Sequence, residues 1–146
     1  MWIRELAIGD TCRFVGPQRS LRLPAHGPVV LFGDETSCAV ALALAAAMPD
    51  REFACVLESS TEAAMRTALG DRVAHATLVP REPSEAHMPE LVRELQTALA
   101  RSPGASLLLT GRAQAIQGVR AACKAQVLPR PADTRAYWSL GKVGLD

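Results

Sequence analysis

Aromatic residues are scarce: one Tyr, two Trp and three Phe among 146 residues, or 4%. The core must therefore be built from Ala, Leu and Val. No stretch is apolar for long enough to span a bilayer, since residues 39–48 form the longest run. The start, Met1-Trp2-Ile3-Arg4-Glu5, is charged where a secretory leader needs an apolar segment. Neither sign of charge dominates: 16 Lys and Arg stand against 15 Asp and Glu, a formal net charge of +1. That balance gives no footprint for nucleic acid or an anionic membrane. The four cysteines, Cys12, Cys38, Cys55 and Cys123, are too dispersed for a zinc or redox motif. They read as buried or incidental thiols of a reducing compartment, so a cytoplasmic location is expected. His26, His75 and His87 have no metal-ligand spacing, and His75 reads as a satisfied core or face residue. Neither G-x-G-x-x-G nor a P-loop is present.

What is present is alternation. Residues 29–32, Val-Val-Leu-Phe, form a short apolar run ended by Gly33-Asp34, as in a buried strand. Residues 36–48 are Ala- and Leu-rich, stop at Pro49 and predict a helix. Strands are expected at 53–57, 73–79 and 106–110, with a last edge strand at 135–138. Helices are expected from Ser60 or Thr61 to about Gly70, from near Pro89 to before Pro103-Gly104, and over 111–126, where Ile116, Val119 and Cys123 share a face. Such alternation predicts an α/β fold: a doubly wound parallel sheet of about five strands with helices on both faces. The expected division is 1–27 as an N-terminal extension and 28–146 as the sheet domain. In the extension, residues 11–15 predict a short strand and 19–24 an extended piece. A two-stranded piece is marginal without a surface to pack on. Trp2, Ile3, Phe14 and Val15 are therefore expected to fold back or to mediate a homodimer.

In doubly wound sheets ligands bind beyond the carboxyl ends of the strands. Gly33-Asp34-Glu35-Thr36 follows the first strand, where glycine permits a tight turn and a helix start offers free amides. The same motif also reads as a plain helix cap. Gly111-Arg112 follows the fourth strand, where a guanidinium either clamps a phosphate or is merely solvated. Ser59, Ser60 and Arg66 follow the second strand, where the adenosine ribose is usually read. They suit a 2′-phosphate, whereas Glu58 suits a free ribose hydroxyl. Tyr137-Trp138 either stacks on a flat ligand ring or fills the core from an edge strand. Arg81 reads as a solvated loop residue.

In order along the chain, these residues resemble one family. Gly33-Asp34-Glu35-Thr36 is similar to the G-D-E-T turn of siderophore-interacting proteins, which are flavin- and NAD(P)H-dependent ferric-siderophore reductases related to ferredoxin reductases. Leu57-Glu58 resembles the valine-glutamate that ends the family's second strand, and Arg81 the arginine closing its third. Thr110-Gly111-Arg112-Ala113 resembles its G-E-A turn, with Arg112 in place of the glutamate. Val119-Arg120 resembles its helical V-R. Tyr137-Trp138-Ser139-Leu140-Gly141 resembles its closing Y-W-x-x-G. Trp2, Gly9-Asp10 and Gly16-Pro17 resemble the last strands of its flavin-binding barrel. The likeness covers residues 28–141. The family's R-x-Y-T flavin motif has no counterpart, and Ser37-Cys38-Ala39 stands where the family continues Ala-Leu-Pro.

The resemblance implies an NAD(P)H-binding domain at 28–146 and a remnant of the FAD-binding barrel at 1–27. It implies hydride transfer from NADPH or NADH to FAD and electrons onward to a ferric siderophore, with FAD supplied by a domain this chain lacks. Gly33, Asp34, Glu35 and Thr36 would hold the nicotinamide side. Ser59, Arg66, Gly111 and Arg112 would hold phosphates and adenosine, and Tyr137 and Trp138 would pack near the ring stack. No side chain reads as a general acid, base or nucleophile. The rival expectation is a non-catalytic paralogue or binding module without a flavin domain.

Overall fold

A computed structural model describes residue 5, residues 7–11 and residues 21–142. The strand expected at 11–15, and the apolar residues Trp2, Ile3, Phe14 and Val15, lie outside them, apart from Thr11. Of the extended piece at 19–24, residues 21–24 are described and take no regular structure.

Five parallel strands form one sheet in the order β3-β2-β1-β4-β5. β1 (Val29–Gly33) is central and buried along its whole length, as a strand covered on both faces must be. It pairs with β2 (Phe53–Ser59) on one side and β4 (Ser106–Arg112) on the other. β3 (Thr77–Pro80) and β5 (Asp133–Trp138) are the edges. The chain winds outward from β1 to β3, returns through α3 (Met88–Arg101), and restarts at β4 beside β1. The strand order therefore reverses between β1 and β4. That reversal opens a crevice at the carboxyl ends of those two strands.

Alternation along β1 sends Val29 and Leu31 to one face and Val30 and Phe32 to the other. The first face packs on α1 (Cys38–Ala47) and α2 (Glu62–Leu69) through Ala41, Leu44, Met65 and Leu69. The second packs on α3 and α4 (Ala113–Lys124) through Leu91, Leu95, Ile116 and Val119. The expected doubly wound sheet with helices on both faces is what forms, and β1 is central to it.

Local chemistry sets the boundaries. α1 begins after a single 3-10 turn, Glu35–Ser37, and Pro49 ends it, since proline has no amide to continue the ladder. α3 accepts Pro89 in its first turn, where no amide partner is needed. β3 is shorter than the expected 73–79. Residues Asp71–Val73 form a 3-10 turn instead, and Val73 packs under α1 rather than into the sheet. The helix expected at 111–126 starts at Ala113, because Gly111 and Arg112 still belong to β4. Cys55 is buried, which raises its thiol pKa, and Cys38, Cys55 and Cys123 are free thiols. His75, expected at a core or face position, is exposed. No helix among the described residues is long and apolar enough to cross a membrane.

Candidate functional site

The carboxyl edge of the sheet carries a buried charge cluster. Glu58 ends β2 with no exposed surface. It shares a face with Val56, so its carboxylate lies on the α3 side. A carboxylate so placed must be paired. Arg112, at the end of β4, supplies the pair in two-point form: Nε donates to Oε1 at 2.8 Å and Nη2 to Oε2 at 2.9 Å. Gly111 aims it there. Its φ of +95° breaks the alternation that would leave Arg112 beside Thr110 on the opposite face, and at the same step β5 carries an extra residue, Tyr137, in the register. A Cβ at Gly111 would also lie 2.7 Å from Asp34 Cγ.

His87 completes the pairing of Glu58. Its Nε2 is 2.8 Å from Glu58 Oε2, while its Nδ1 accepts the Glu82 amide at 3.1 Å. A ring nitrogen that accepts an N–H carries no proton, so the ring proton sits on Nε2, which donates to Glu58. Arg112 also binds a second carboxylate, Glu85, through Nη1 and, at 2.8 Å, through Nη2. That hydrogen bond, with the nearby positive charge, holds the Glu85 carboxyl below its ordinary value.

An outer ring surrounds this cluster. The Arg81 guanidinium lies 5.7 Å from the Trp138 ring centre. It donates to Glu35 Oε1 at 2.8 Å, and its Nη1 is 3.7 Å from Glu58. Glu35 also accepts the Ser60 amide and hydroxyl, each at 2.7 Å. Burial raises the Glu35 carboxyl, but these Ser60 bonds and Arg81 more than offset it, and the net shift is downward. Trp138 Nε1 donates to Asp34 Oδ2 at 2.8 Å. The other oxygen of Asp34 accepts the Thr36 amide at 2.9 Å and the Thr36 hydroxyl at 2.5 Å. Asp34 thus caps its own turn and spends amides that an anion would otherwise use. Gly33 is needed because a Cβ there would collide with Ser37.

The fold brings most of the sequence-expected site residues together. Gly33, Asp34, Glu35, Thr36, Ser59, Gly111, Arg112 and Trp138 all lie on this edge. Tyr137, near the end of β5, is 38% exposed. Arg66 lies apart. Its Nη1 donates to Ala76 O at 2.7 Å, at the amino end of β3. Arg81 is not the solvated loop residue expected; only 20% of its side chain is exposed, and it joins the outer ring. Glu85 and His87 were not anticipated. The usable signal was two strand runs, Cys-Val-Leu-Glu and Leu-Thr-Gly-Arg, each closed by a charge of opposite sign.

Two open features remain on this edge. Arg112, the residue before α4, gives the helix no side-chain cap, so the first-turn amides of α4 have no side-chain cap partner at the β1–β4 reversal. A small cleft of about 90 Å³ lies between Ser59, Ser60, Glu62, Leu78 and Pro80. Another cavity, of about 300 Å³, lined by Met48, Phe53 and Val73 among others, is at the amino ends of the strands, away from this edge.

No protein-family model and no curated protein matches the chain. Among solved structures, a siderophore-interacting protein from Acinetobacter baumannii is similar, with a TM-score of 0.60 and 15% identity over 87% of this chain and 52% of that one. The siderophore-interacting protein SipS from Aeromonas hydrophila is similar at a TM-score of 0.55 and 17% identity, over 81% of this chain and 53% of that one. The chain shares their fold and spans about half their length.

Proposed function

We propose that this sheet domain binds a reduced pyridine nucleotide, NADH or NADPH, along its carboxyl edge. It would present the nicotinamide to an FAD held by another domain, from which electrons reach a ferric siderophore. One observation carries the reading: uncapped α4 amides and a glycine turn stand together at the point where strand order reverses. The fold shared with two siderophore-interacting proteins supports it.

Each residue then has a task. The first-turn amides of α4 receive the pyrophosphate, and the cleft at Ser59 and Ser60 takes the adenosine end. Thr36 and the exposed ring of Tyr137 flank the nicotinamide side. The buried Glu58–Arg112–His87 cluster holds β2, β4 and the loop before α3 in register and keeps that edge rigid. Bound flavin supplies the conversion of hydride to single electrons. Glu35, partly exposed beside Ser60, accepts ribose hydroxyls and repels a 2′-phosphate. Arg66, the cation that would favour that phosphate, is turned away. NADH is therefore the preferred nucleotide.

A second reading has its own support. The cluster holds four carboxylates, Asp34, Glu35, Glu58 and Glu85, against two guanidiniums, Arg81 and Arg112, both already paired. That surplus of acid suits a non-catalytic binding module. Calorimetric titration with NADH and NADPH, with and without FAD, separates the two. Saturable binding of NADH supports the nucleotide domain, and no heat from either nucleotide favours the module.

A further inference from the structure

Arg112 binds two carboxylates, and they differ in kind. Glu58 is wholly buried at the end of a core strand and neutralises the guanidinium by itself. The side chain of Glu85 is 38% exposed and stands on the loop between β3 and α3. It uses the outward edge of the guanidinium, Nη1 and Nη2, in the two-point form that a phosphate would use. Arg112 is also the residue at which α4 begins without a side-chain cap. The outward edge of the guanidinium thus stands at an uncapped helix start, and an internal anion sits on it.

We propose that Glu85 is an internal pseudo-ligand, which fills the anion seat of Arg112 until the pyrophosphate of a dinucleotide displaces it. The proposal rests on the nucleotide reading above and adds its regulation. Two anions cannot share one guanidinium edge, so ligand and Glu85 compete. The loop is built for a local exchange. At one end the Arg81 amide donates to Ser59 O at 2.8 Å, and at the other His87 is held to Glu58 at 2.8 Å. Between these anchors, Glu85 sits in left-handed backbone at φ +60° and is tied by its amide to Glu82 O. Swinging Glu85 out leaves both anchors and the Glu58–Arg112 pair intact. Apparent ligand affinity is then lowered by the fraction of molecules in which the seat is open.

The test compares four proteins: the unaltered chain, Glu85→Gln, Glu85→Gly and the control Glu82→Gln. Glu82 is an exposed residue of the same loop, so its change alters net charge equally. Glycine at position 85 suits the left-handed backbone, so one seat-opening variant carries no folding risk. Inorganic pyrophosphate and NADH are titrated into each by calorimetry at low salt. If the seat is closed nine-tenths of the time, both Glu85 variants bind about tenfold more tightly, and the control is unchanged. Equal affinity in all four proteins, or tightening in Glu82→Gln as large as in the Glu85 variants, overturns the pseudo-ligand. Tighter pyrophosphate binding without NADH binding in any protein keeps the seat and removes the nucleotide reading. NADH binding of equal strength throughout keeps that reading and removes the seat. Failure of both probes with every protein removes both.

Discussion

Replacing Arg112 with methionine tests the buried cluster most sharply. The change keeps an unbranched apolar stem and removes the cation facing a carboxylate with no exposed surface. Breaking a buried pair from one side costs about 3–5 kcal/mol, because the remaining charge stays buried and uncompensated. Glu58 keeps two partners, the His87 Nε2–H at 2.8 Å and the Arg81 guanidinium at 3.7 Å. The lower end, about 3 kcal/mol, is therefore expected, or a fall in Tm of about 10 °C. Glu85 loses its partner too, but it is partly exposed and adds little. The companion change is Glu58→Gln, whose amide oxygen still accepts from His87. In the double variant no unpaired charge is buried, so most of the loss is recovered. The coupling between the two sites should be about 2 kcal/mol. Urea unfolding followed by circular dichroism measures all four corners of the cycle. A loss below about 1 kcal/mol for Arg112→Met, or strict additivity, would refute the claim that this pair organises the edge.

Other outcomes follow from the same geometry. Gly111→Ala forces a side chain into left-handed backbone 2.7 Å from Asp34 Cγ, so it should cost at least about 1–3 kcal/mol in urea unfolding. Leu108→Ala, at a fully buried position of β4, should cost about 2–5 kcal/mol by the same assay. Acid should destabilise the fold in a definite window. Glu35, Glu85 and Asp133 have folded-state carboxyls held below their ordinary values. The folded state therefore binds fewer protons than the unfolded one; the stabilisation is complete above the unfolded values and is lost as pH falls through the folded ones. The urea midpoint should thus drop below about pH 4.5, and less steeply in Glu85→Gln. Tyr137→Ala should leave stability within about 0.5 kcal/mol, as for an exposed site, while weakening NADH binding in calorimetry.

The sheet was legible because its strands are short continuous apolar runs. Val-Val-Leu-Phe, closed by Gly33-Asp34, suits a strand covered on both faces, and the strand is buried along its whole length at the centre of the sheet. β3 was misplaced because Val73, Ala74 and Ala76 look like strand residues. Val73, at the end of a 3-10 turn, and Ala76 instead join the core that α1 covers, while Ala74 is exposed, and a period of two cannot show that over so short a stretch. The turns at Gly33 and Gly111 were visible as glycines after strands. What those turns hold was not. Arg112 reads from sequence as a cation free for a phosphate, yet its partner Glu58 is 54 residues away and Glu85 is 27 away. Only the strand order, which sets the ends of β2 and β4 on either side of β1, brings them together. Arg66 shows the converse. It follows the correct strand in sequence, but the turn of the helix points it toward Ala76 O, down the sheet from the crevice.

The central claim is that a pyridine nucleotide lies on the carboxyl edge of this sheet. An amide-resolved NMR titration of the isotopically labelled chain with NADH tests it most directly. The account predicts saturable shifts clustered at Thr36, Ser60, Ala113, Gln114 and Tyr137, with Glu85 shifting as it leaves Arg112. Shifts confined to the amino-end cavity around Met48, Phe53 and Val73, or none at millimolar nucleotide, would contradict it.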